Sequence, residues 1–198
     1  MADRETLDVY GDRAADYADM VTQMAPDRHL QAFIDAVPKG GKVMDLGCGH
    51  GRSTALMIEA GLQAEALDAS PEFAEIALKK FGVKVAIAEF EALDTEAAYD
   101  GVFANFSLLH SPKAEMPGHL ARIARSLQPD GVFHLGLKTG EGEYRDSLGR
   151  FYAYYSDAEI SGLMQNNGFT VLSRDFGAEK GLDGTVAPWI VLLARKTS

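Results

Sequence analysis

The sequence is poor in cysteine and has no long apolar run. Cys48 is its single cysteine, so no disulfide can form within the chain and nothing points to an oxidising compartment. No apolar stretch reaches the roughly 18 residues that a membrane span needs. The first residues are polar and lack the apolar core of a signal peptide. These absences predict a cytoplasmic protein without a membrane partner.

Positive charge is also scarce. The chain has 19 Lys and Arg against 29 Asp and Glu, which gives a formal net charge of −10. A large nucleic-acid footprint usually needs a basic face, so this balance argues against a nucleic-acid partner. With 198 residues, of which 46% are hydrophobic, the chain has the size of one α/β domain with a sizeable core.

A glycine-rich turn between a strand and a helix dominates what is present. Lys42 to Leu46 has the pattern of a buried strand, and Gly47, Gly49 and Gly51 follow on alternate positions. An apolar helix pattern begins at Ala55. Glycines at such a turn let a ligand touch the main chain, and the helix start offers free N–H groups. The turn therefore predicts a nucleotide-like ligand.

The residues around the glycines narrow the choice of ligand. A dinucleotide fingerprint, G-x-G-x-x-G, would need its third glycine at Arg52. Asp45, two places before the first glycine, would repel a pyrophosphate and favour a cation. S-adenosylmethionine has no phosphate and carries a sulfonium and an ammonium group. A NAD-type oxidoreductase on the same layered fold is the alternative, and these two residues weigh against it.

The run D-L-G-C-G-x-G over residues 45–51 resembles the pattern of class I S-adenosylmethionine-dependent methyltransferases of the small-molecule type. The resemblance covers about residues 40–196 and, more loosely, the N-terminal helices. It implies a Rossmann-like core over 40–196 and a helical lid over 1–38, together a single domain over 1–198.

Alternating strand and helix patterns support this fold class independently. Such alternation predicts parallel pairing with right-handed crossovers, hence an α/β three-layer sandwich. The resemblance adds a mostly parallel seven-stranded sheet in the order 3-2-1-4-5-7-6, with strand 7 antiparallel. The fifth strand is expected over residues 131–138, and the last two strands over 169–174 and 189–194. Residues 151–155 fit an edge strand or an extended segment.

Two parts of the expected cofactor site each have a second possible interpretation. Tyr10 and Tyr17 lie two turns apart in a segment, Y-x-x-x-A-x-x-Y, that resembles the family's lid over the cofactor; both could instead simply pack on the domain. Asp68 closes the second strand about twenty residues past the glycines, where an acid can accept from ribose hydroxyls. It could also serve as a neighbour of the helix cap Ser70.

By the same resemblance Glu89 would accept from the adenine amino group, and Phe90 would flank the ring. Asn105 and Phe106 end the fourth strand, where open parallel sheets bind ligands. Cys48 also fits a small buried filler. The predicted set that contacts S-adenosylmethionine is Tyr10, Tyr17, Asp45, Gly47, Cys48, Gly49, Arg52, Asp68, Ala69, Glu89, Phe90, Asn105 and Phe106.

A Gly- and Glu-rich segment over residues 139–150 is the candidate acceptor loop. Charges of both signs stand between glycines there, although a solvated surface loop has the same composition. The predicted acceptor contacts are Lys138, Glu141, Glu143, Arg150, Tyr152 and Tyr154. Arg145 is a further polar candidate in this segment.

Methyl transfer from a sulfonium needs alignment and exclusion of water, and it needs a base only if the acceptor loses a proton. His110, after the fourth strand, is the candidate base; alternatively it only bonds the backbone or shapes the cleft. No group has convincing metal-ligand spacing, so no metal is expected. The expected partner is a small molecule. A regulatory protein that binds the cofactor without catalysis is a third interpretation, and the acceptor atom and oligomeric state stay open.

Overall fold

The strands that the structure describes lie in two sheets. The computed structural model describes residues 3–13 and 26–197, so Tyr17 lies outside the described residues. The described strands are β1 (Lys42–Leu46), β2 (Gln63–Asp68), β3 (Val85–Ile87), β4 (Tyr99–Asn105), β5 (Leu127–Lys138), β6 (Glu143–Arg145), β7 (Phe151–Ala153), β8 (Phe169–Lys180) and β9 (Val186–Lys196). The described helices are α1 (Arg4–Asp12), α2 (Arg28–Ala36), α3 (Arg52–Glu59), α4 (Pro71–Phe81), α5 (Met116–Ser126) and α6 (Asp157–Asn166). None of these helices is both long and apolar enough to cross a membrane.

Seven strands form the main sheet, in the order β3-β2-β1-β4-β5-β9-β8. The pairs from β3 through β5 are parallel, and β9 runs antiparallel to both of its neighbours. Counted in chain order within this sheet alone, the strands follow the order 3-2-1-4-5-7-6, with the seventh antiparallel. The predicted fold class is confirmed.

A second sheet of two antiparallel strands, β6 and β7, interrupts the chain between β5 and β8. The sequence did not predict β6 within the segment 139–150. β7 does not lie at the edge of the main sheet; it pairs with β6, and only Tyr155 makes an isolated bridge to Thr139 beyond the end of β5. The hairpin therefore stands beside the carboxyl end of β5.

Apolar side chains cover both faces of the main sheet. Phe103 of β4 belongs to a cluster with Phe33 of α2 and Met57 of α3. Its neighbour Val102 belongs to a different cluster, which includes Leu120 of α5. Successive residues of a strand point to opposite faces, so this division shows helices on both sides of the sheet. The predicted three-layer arrangement follows from it.

Local sequence patterns predicted some ends of helices and strands correctly and others incorrectly. Ser70 caps α4, because its side chain accepts from the Phe73 N–H at 3.1 Å and Pro71 takes the first helical turn. The fifth strand was predicted from residue 131, yet β5 begins at Leu127. That extension arises because Leu127 pairs with Tyr99 of β4.

Candidate cofactor and acceptor site

A cavity of about 240 Å³ lies at the carboxyl ends of β1, β2 and β4, and α1 forms one of its walls. This is the edge at which open parallel sheets bind ligands. All members of the predicted cofactor set that the structure describes line it, and so does the candidate base His110. The lining members of that set are Tyr10, Asp45, Gly47, Cys48, Gly49, Arg52, Asp68, Ala69, Glu89, Phe90, Asn105 and Phe106.

The glycine turn brings main chain to the cavity surface. The N–H of Gly47 donates to the Leu67 carbonyl at 2.8 Å, which ties the turn to β2. Gly47 has φ +75°, and a Cβ there would lie 2.3 Å from the Ser107 Cβ. Gly49 has φ +54° and would meet no atom within 4 Å, so its missing side chain leaves room at the cavity. Glycine is required at residue 47 because a side chain would clash there, and at residue 49 it leaves space for a ligand beside the main chain.

Asp45 is a buried carboxylate at the end of β1. Its Oδ2 accepts from the Thr54 hydroxyl of α3 at 2.6 Å. Burial raises the pKa of Asp45 to about 7, the nearby charge of Asp68 adds to that rise, and the Thr54 bond opposes it. A carboxylate in such surroundings is stabilised by a cation brought into the cavity.

Asp68 fixes the glycine turn and the start of α4 at once. Its Oδ2 accepts from the Gly49 N–H at 2.7 Å, and its Oδ1 accepts from the Ser70 N–H at 2.9 Å. Burial raises the pKa of Asp68, and these backbone bonds oppose that rise. The contact with Ser70 is the one that the capping interpretation expected. Because a carboxylate has about four acceptor positions, Asp68 retains capacity for hydroxyl donors in the cavity it lines.

The charged residues that line the cavity fit S-adenosylmethionine better than a phosphate-bearing coenzyme. The described lining residues that carry formal charge are five acids and one base: Asp3, Asp27, Asp45, Asp68, Glu89 and Arg52. A pyrophosphate would meet this surplus of carboxylates in a partly dehydrated space, which is unfavourable. A sulfonium and an ammonium group would be attracted by the same surplus.

His110 connects the cavity to β7. Its Nδ1 lies 2.7 Å from the Phe151 carbonyl oxygen, which can only accept, so Nδ1 carries the proton. Its Nε2, 2.9 Å from the Tyr10 hydroxyl oxygen, must then accept from that hydroxyl. Arg150 Nη1 donates to the same oxygen at 3.2 Å. Burial lowers the pKa of His110 to about 4, and the charge of Arg150 contributes to the lowering, so the imidazole is neutral at pH 7.

Hydrogen bonds made by Asp3, Thr6 and Arg145 hold α1 in place over the cavity. Arg145 of β6 donates to both carboxylate oxygens of Asp3, at 2.9 and 2.8 Å, and this bond holds the pKa of Asp3 well below its usual range. Thr6 accepts from the Phe151 N–H at 2.8 Å and donates to Asp3 at 2.7 Å. The wall made by α1 is thus bonded to the β6–β7 hairpin.

Comparison with known proteins agrees with this geometry. Residues 43–131 match a protein family described as a methyltransferase domain. A carboxy-S-adenosyl-L-methionine synthase of Psychrobacter sp. (strain PRwf-1) is 33% identical over 159 residues, covering 68% of this chain and 58% of that protein. A cypemycin N-terminal methyltransferase of Streptomyces sp. is 33% identical over 135 residues, covering 64% and 55%. The chain therefore spans little more than half the length of these two relatives.

A solved structure extends the likeness over nearly the whole chain. The 1,6-didemethyltoxoflavin-N1-methyltransferase of Burkholderia thailandensis, determined with 1,6-didemethyltoxoflavin and S-adenosylhomocysteine bound, has a TM-score of 0.76 and 25% identity. The match covers 98% of this chain and 88% of that one. The domain match, the two relatives and this structure support a class I S-adenosylmethionine-dependent methyltransferase. The resemblance proposed from the glycine turn is confirmed.

The predicted acceptor contacts do not line the cavity. Arg150 is 2% exposed, and its Nε and Nη2 donate to Asp146 Oδ2 at 2.8 and 2.6 Å. Glu143 accepts from the Lys113 N–H and Glu141 is exposed. The other three members are the buried Tyr152 and Tyr154 and the half-buried Lys138. Glu143 and Tyr152 belong to the β6–β7 hairpin, Arg150 contacts Tyr10, and the Tyr152 ring lies beside His110.

Sequence reasoning missed a group of polar residues on the Phe90 side of the cavity. Ser111 lines the cavity, and its hydroxyl donates to Glu115 at 2.7 Å. His119 Nε2, 2.9 Å away, therefore donates to the Ser111 oxygen. One ligand-type atom from each of Glu91, Glu115 and His119 falls within 4.8 Å of the others. The i, i+4 spacing of Glu115 and His119 was the only local signal for this group.

Proposed function

We propose that the chain transfers a methyl group from S-adenosylmethionine to a small-molecule acceptor. The observation that carries the proposal is the pair of carboxylates, Asp45 and Asp68, which line a cavity beside the glycine turn. Such a pair complements a phosphate-free cofactor with two positive groups. The size of the cavity, and the absence of a basic majority among its described lining residues, favour a small acceptor.

Individual residues are assigned by their position in the cavity. Asp68 would accept from the ribose hydroxyls, and Glu89 from the adenine amino group, with Phe90 beside the ring. Asp45 and the glycine turn would face the methionine part, under Tyr10. Asn105 is held in place for this site, because its Oδ1 accepts from His134 Nε2 at 3.0 Å and His134 stacks on Phe103 at 4.1 Å between ring centroids.

Bound S-adenosylmethionine supplies an activated methyl group, whose C–S bond breaks as the acceptor lone pair bonds to carbon. The protein's part is to align the acceptor and to exclude water. The α1 wall does both, since Leu7 and Tyr10 line the cavity and the helix is bonded to the hairpin. Phe73 adds a buried apolar surface 5.8 Å from the Tyr10 ring, between centroids.

His110 serves as base through Tyr10 where the acceptor must lose a proton. The neutral imidazole has its Nε2 lone pair directed at the Tyr10 hydroxyl. Tyr10 can take the acceptor's proton while its own proton passes to Nε2, so that no phenolate forms. An acceptor with a free lone pair at neutral pH would bypass this route, and a Tyr10→Phe variant would then keep its rate with that acceptor.

Calorimetry tests the cofactor first. We expect S-adenosylmethionine and S-adenosylhomocysteine to bind and NAD to show no heat. Asp68→Asn should weaken both by about 10-fold or more, since a hydrogen bond to a charged group contributes about 1.5–3 kcal/mol. Asp94→Asn removes an exposed acid outside the cavity and should bind like the wild type. Binding of NAD instead would support the oxidoreductase alternative.

Label transfer tests the reaction. Wild-type protein, S-adenosylmethionine carrying a labelled methyl group and metabolite extracts should yield a labelled small product, and heat-inactivated protein should not. If the cofactor binds tightly but no extract fraction becomes labelled, the regulatory interpretation replaces the enzymatic one.

A further inference from the structure

Lys138 is a half-buried cation that contacts no carboxylate of the described residues. It is the last residue of β5, at the same sheet edge as the cavity. Within residues 3–13 and 26–197, no carboxylate lies within ion-pair distance of its ammonium group. The ammonium instead lies 3.9 Å from the ring centroid of Tyr152, a side chain that is 3% exposed. A cation removed from water in this way normally has an anionic partner.

A second cation lies on the same ring. The Arg150 guanidinium is 5.3 Å from the Tyr152 centroid, and its contacting carboxylate is Asp146. Burial lowers the pKa of Lys138 and the charge of Arg150 lowers it further, while Asp183 and Asp146 oppose this from a distance. Among the described residues, Asp146 is thus the one carboxylate in contact with either cation, and it pairs with Arg150, although the protein as a whole carries a charge of −10.

Lys138 lies close to the groups that are expected to face the acceptor. Tyr152 and Tyr10, which lines the cavity, both contact Arg150, whose guanidinium lies 5.3 Å from the centroid of each ring. The Tyr152 ring also lies 4.7 Å from the His110 ring, between centroids. A group bound at Lys138 would therefore be one tyrosine side chain away from the cavity.

We propose that Lys138 is an anion-binding subsite and that the acceptor carries an acid group, a carboxylate or a phosphate. The inference rests on the proposed function, because it concerns the acceptor of that reaction. Lys138 supplies the charge, the Tyr152 ring positions the Lys138 ammonium, and Arg150 stays committed to Asp146 and Tyr10. The methylated atom lies on the far side of the acceptor from its acid group, toward Tyr10 and His110.

The test uses the full chain saturated with S-adenosylhomocysteine. Small hydroxy- and amino-carboxylates, each paired with its primary amide and with the matching phosphate ester, are titrated by calorimetry. We expect at least one acid to bind 10-fold or more tightly than its amide, and the stronger of carboxylate and phosphate identifies the acid group. Equal affinity of acids and amides, or no binding by any of the probes, would overturn the proposal.

Matched variants assign the effect to the side chain. Lys138→Met keeps the stem and removes the charge, so the preferred acid should lose 10-fold or more while its amide is unaffected. Lys138→Arg should restore most of the loss, and Lys84→Met, at an exposed lysine, should change nothing. S-adenosylhomocysteine should bind all variants equally. If it binds none of them, nor the wild type, the proposed function fails first; if it binds while Lys138→Met still prefers the acid, only the subsite is wrong.

Discussion

Asp45→Asn should remove a pH dependence from the stability of the cofactor-free protein. Folding raises the pKa of Asp45 from 3.8 to about 7 through burial. The folded state therefore holds a proton that the unfolded state has already released, and the stability of the wild type falls as pH rises through that window. The asparagine variant has no proton to lose, and its Oδ1 can still accept from Thr54.

The magnitude follows from the size of the shift. Each pKa unit is about 1.4 kcal/mol, so the free energy of unfolding of the variant, relative to the wild type, should increase by about 3 kcal/mol between pH 5 and pH 8. Urea denaturation of both proteins at four pH values measures this difference, and titrating groups that do not interact with Asp45 cancel in it. Asp94→Asn, at an exposed acid outside the cavity, is the matched control for this assay.

Adding the cofactor should reduce the pH dependence of this difference. A bound cation favours the carboxylate form of Asp45, so with saturating S-adenosylmethionine the pH dependence of the difference should shrink. A difference between Asp45→Asn and wild type that stays flat from pH 5 to pH 8 without cofactor would refute the electrostatic description of the site.

Other substitutions test the packing around the cavity. Gly47→Ala should lose more than about 3 kcal/mol of stability and all cofactor binding, whereas Gly82→Ala, with a similar φ but open space, should cost about 1 kcal/mol; urea titration compares them. Tyr10→Phe should cost about 1–3 kcal/mol, because it leaves buried polar partners unpaired, and thermal unfolding reports it. Arg145→Gln should leave the global unfolding transition unchanged but speed hydrogen exchange in α1, because the bond from Arg145 to Asp3 is lost. Unchanged exchange would show that this bond does not hold α1 in place.

The cofactor half of the site was predictable because its signals are local. Gly47 and Asp45 stand in one short run, and Asp68 ends the next strand. The carboxyl ends of parallel strands meet at one edge, so alternation of strand and helix is sufficient to bring these residues together. The strand order came from the family resemblance, since hydrophobic patterns define layers but carry no information about neighbours.

The residues expected to face the acceptor were harder to predict from the sequence, for a physical reason. Tyr10 and His110 are 100 residues apart in the sequence, and Arg150 is 140 residues from Tyr10. Nothing local in a histidine's surroundings specifies which distant hydroxyl it will bond. Arg150 was expected to contact the acceptor, and its position after a glycine gave no sign that Asp146 would hold it in a buried ion pair.

The ends of strands in exposed hairpins could not be predicted from the sequence either. β8 continues to Lys180, six residues beyond the predicted end at Arg174, and most of that extension is exposed. Without a buried face there is no period-2 alternation to detect. The same holds for β6, whose three residues are all exposed.

The fastening of α1 to the β6–β7 hairpin has a practical consequence for handling the protein. Residues 3–10 supply part of the chamber wall, so an affinity tag fused directly ahead of Asp3, or trimming of that segment, alters the reaction chamber itself. The opposite terminus is a safer attachment point, because the N–H of Thr197 bonds to the carbonyl of Gly168, and neither residue belongs to the chamber lining.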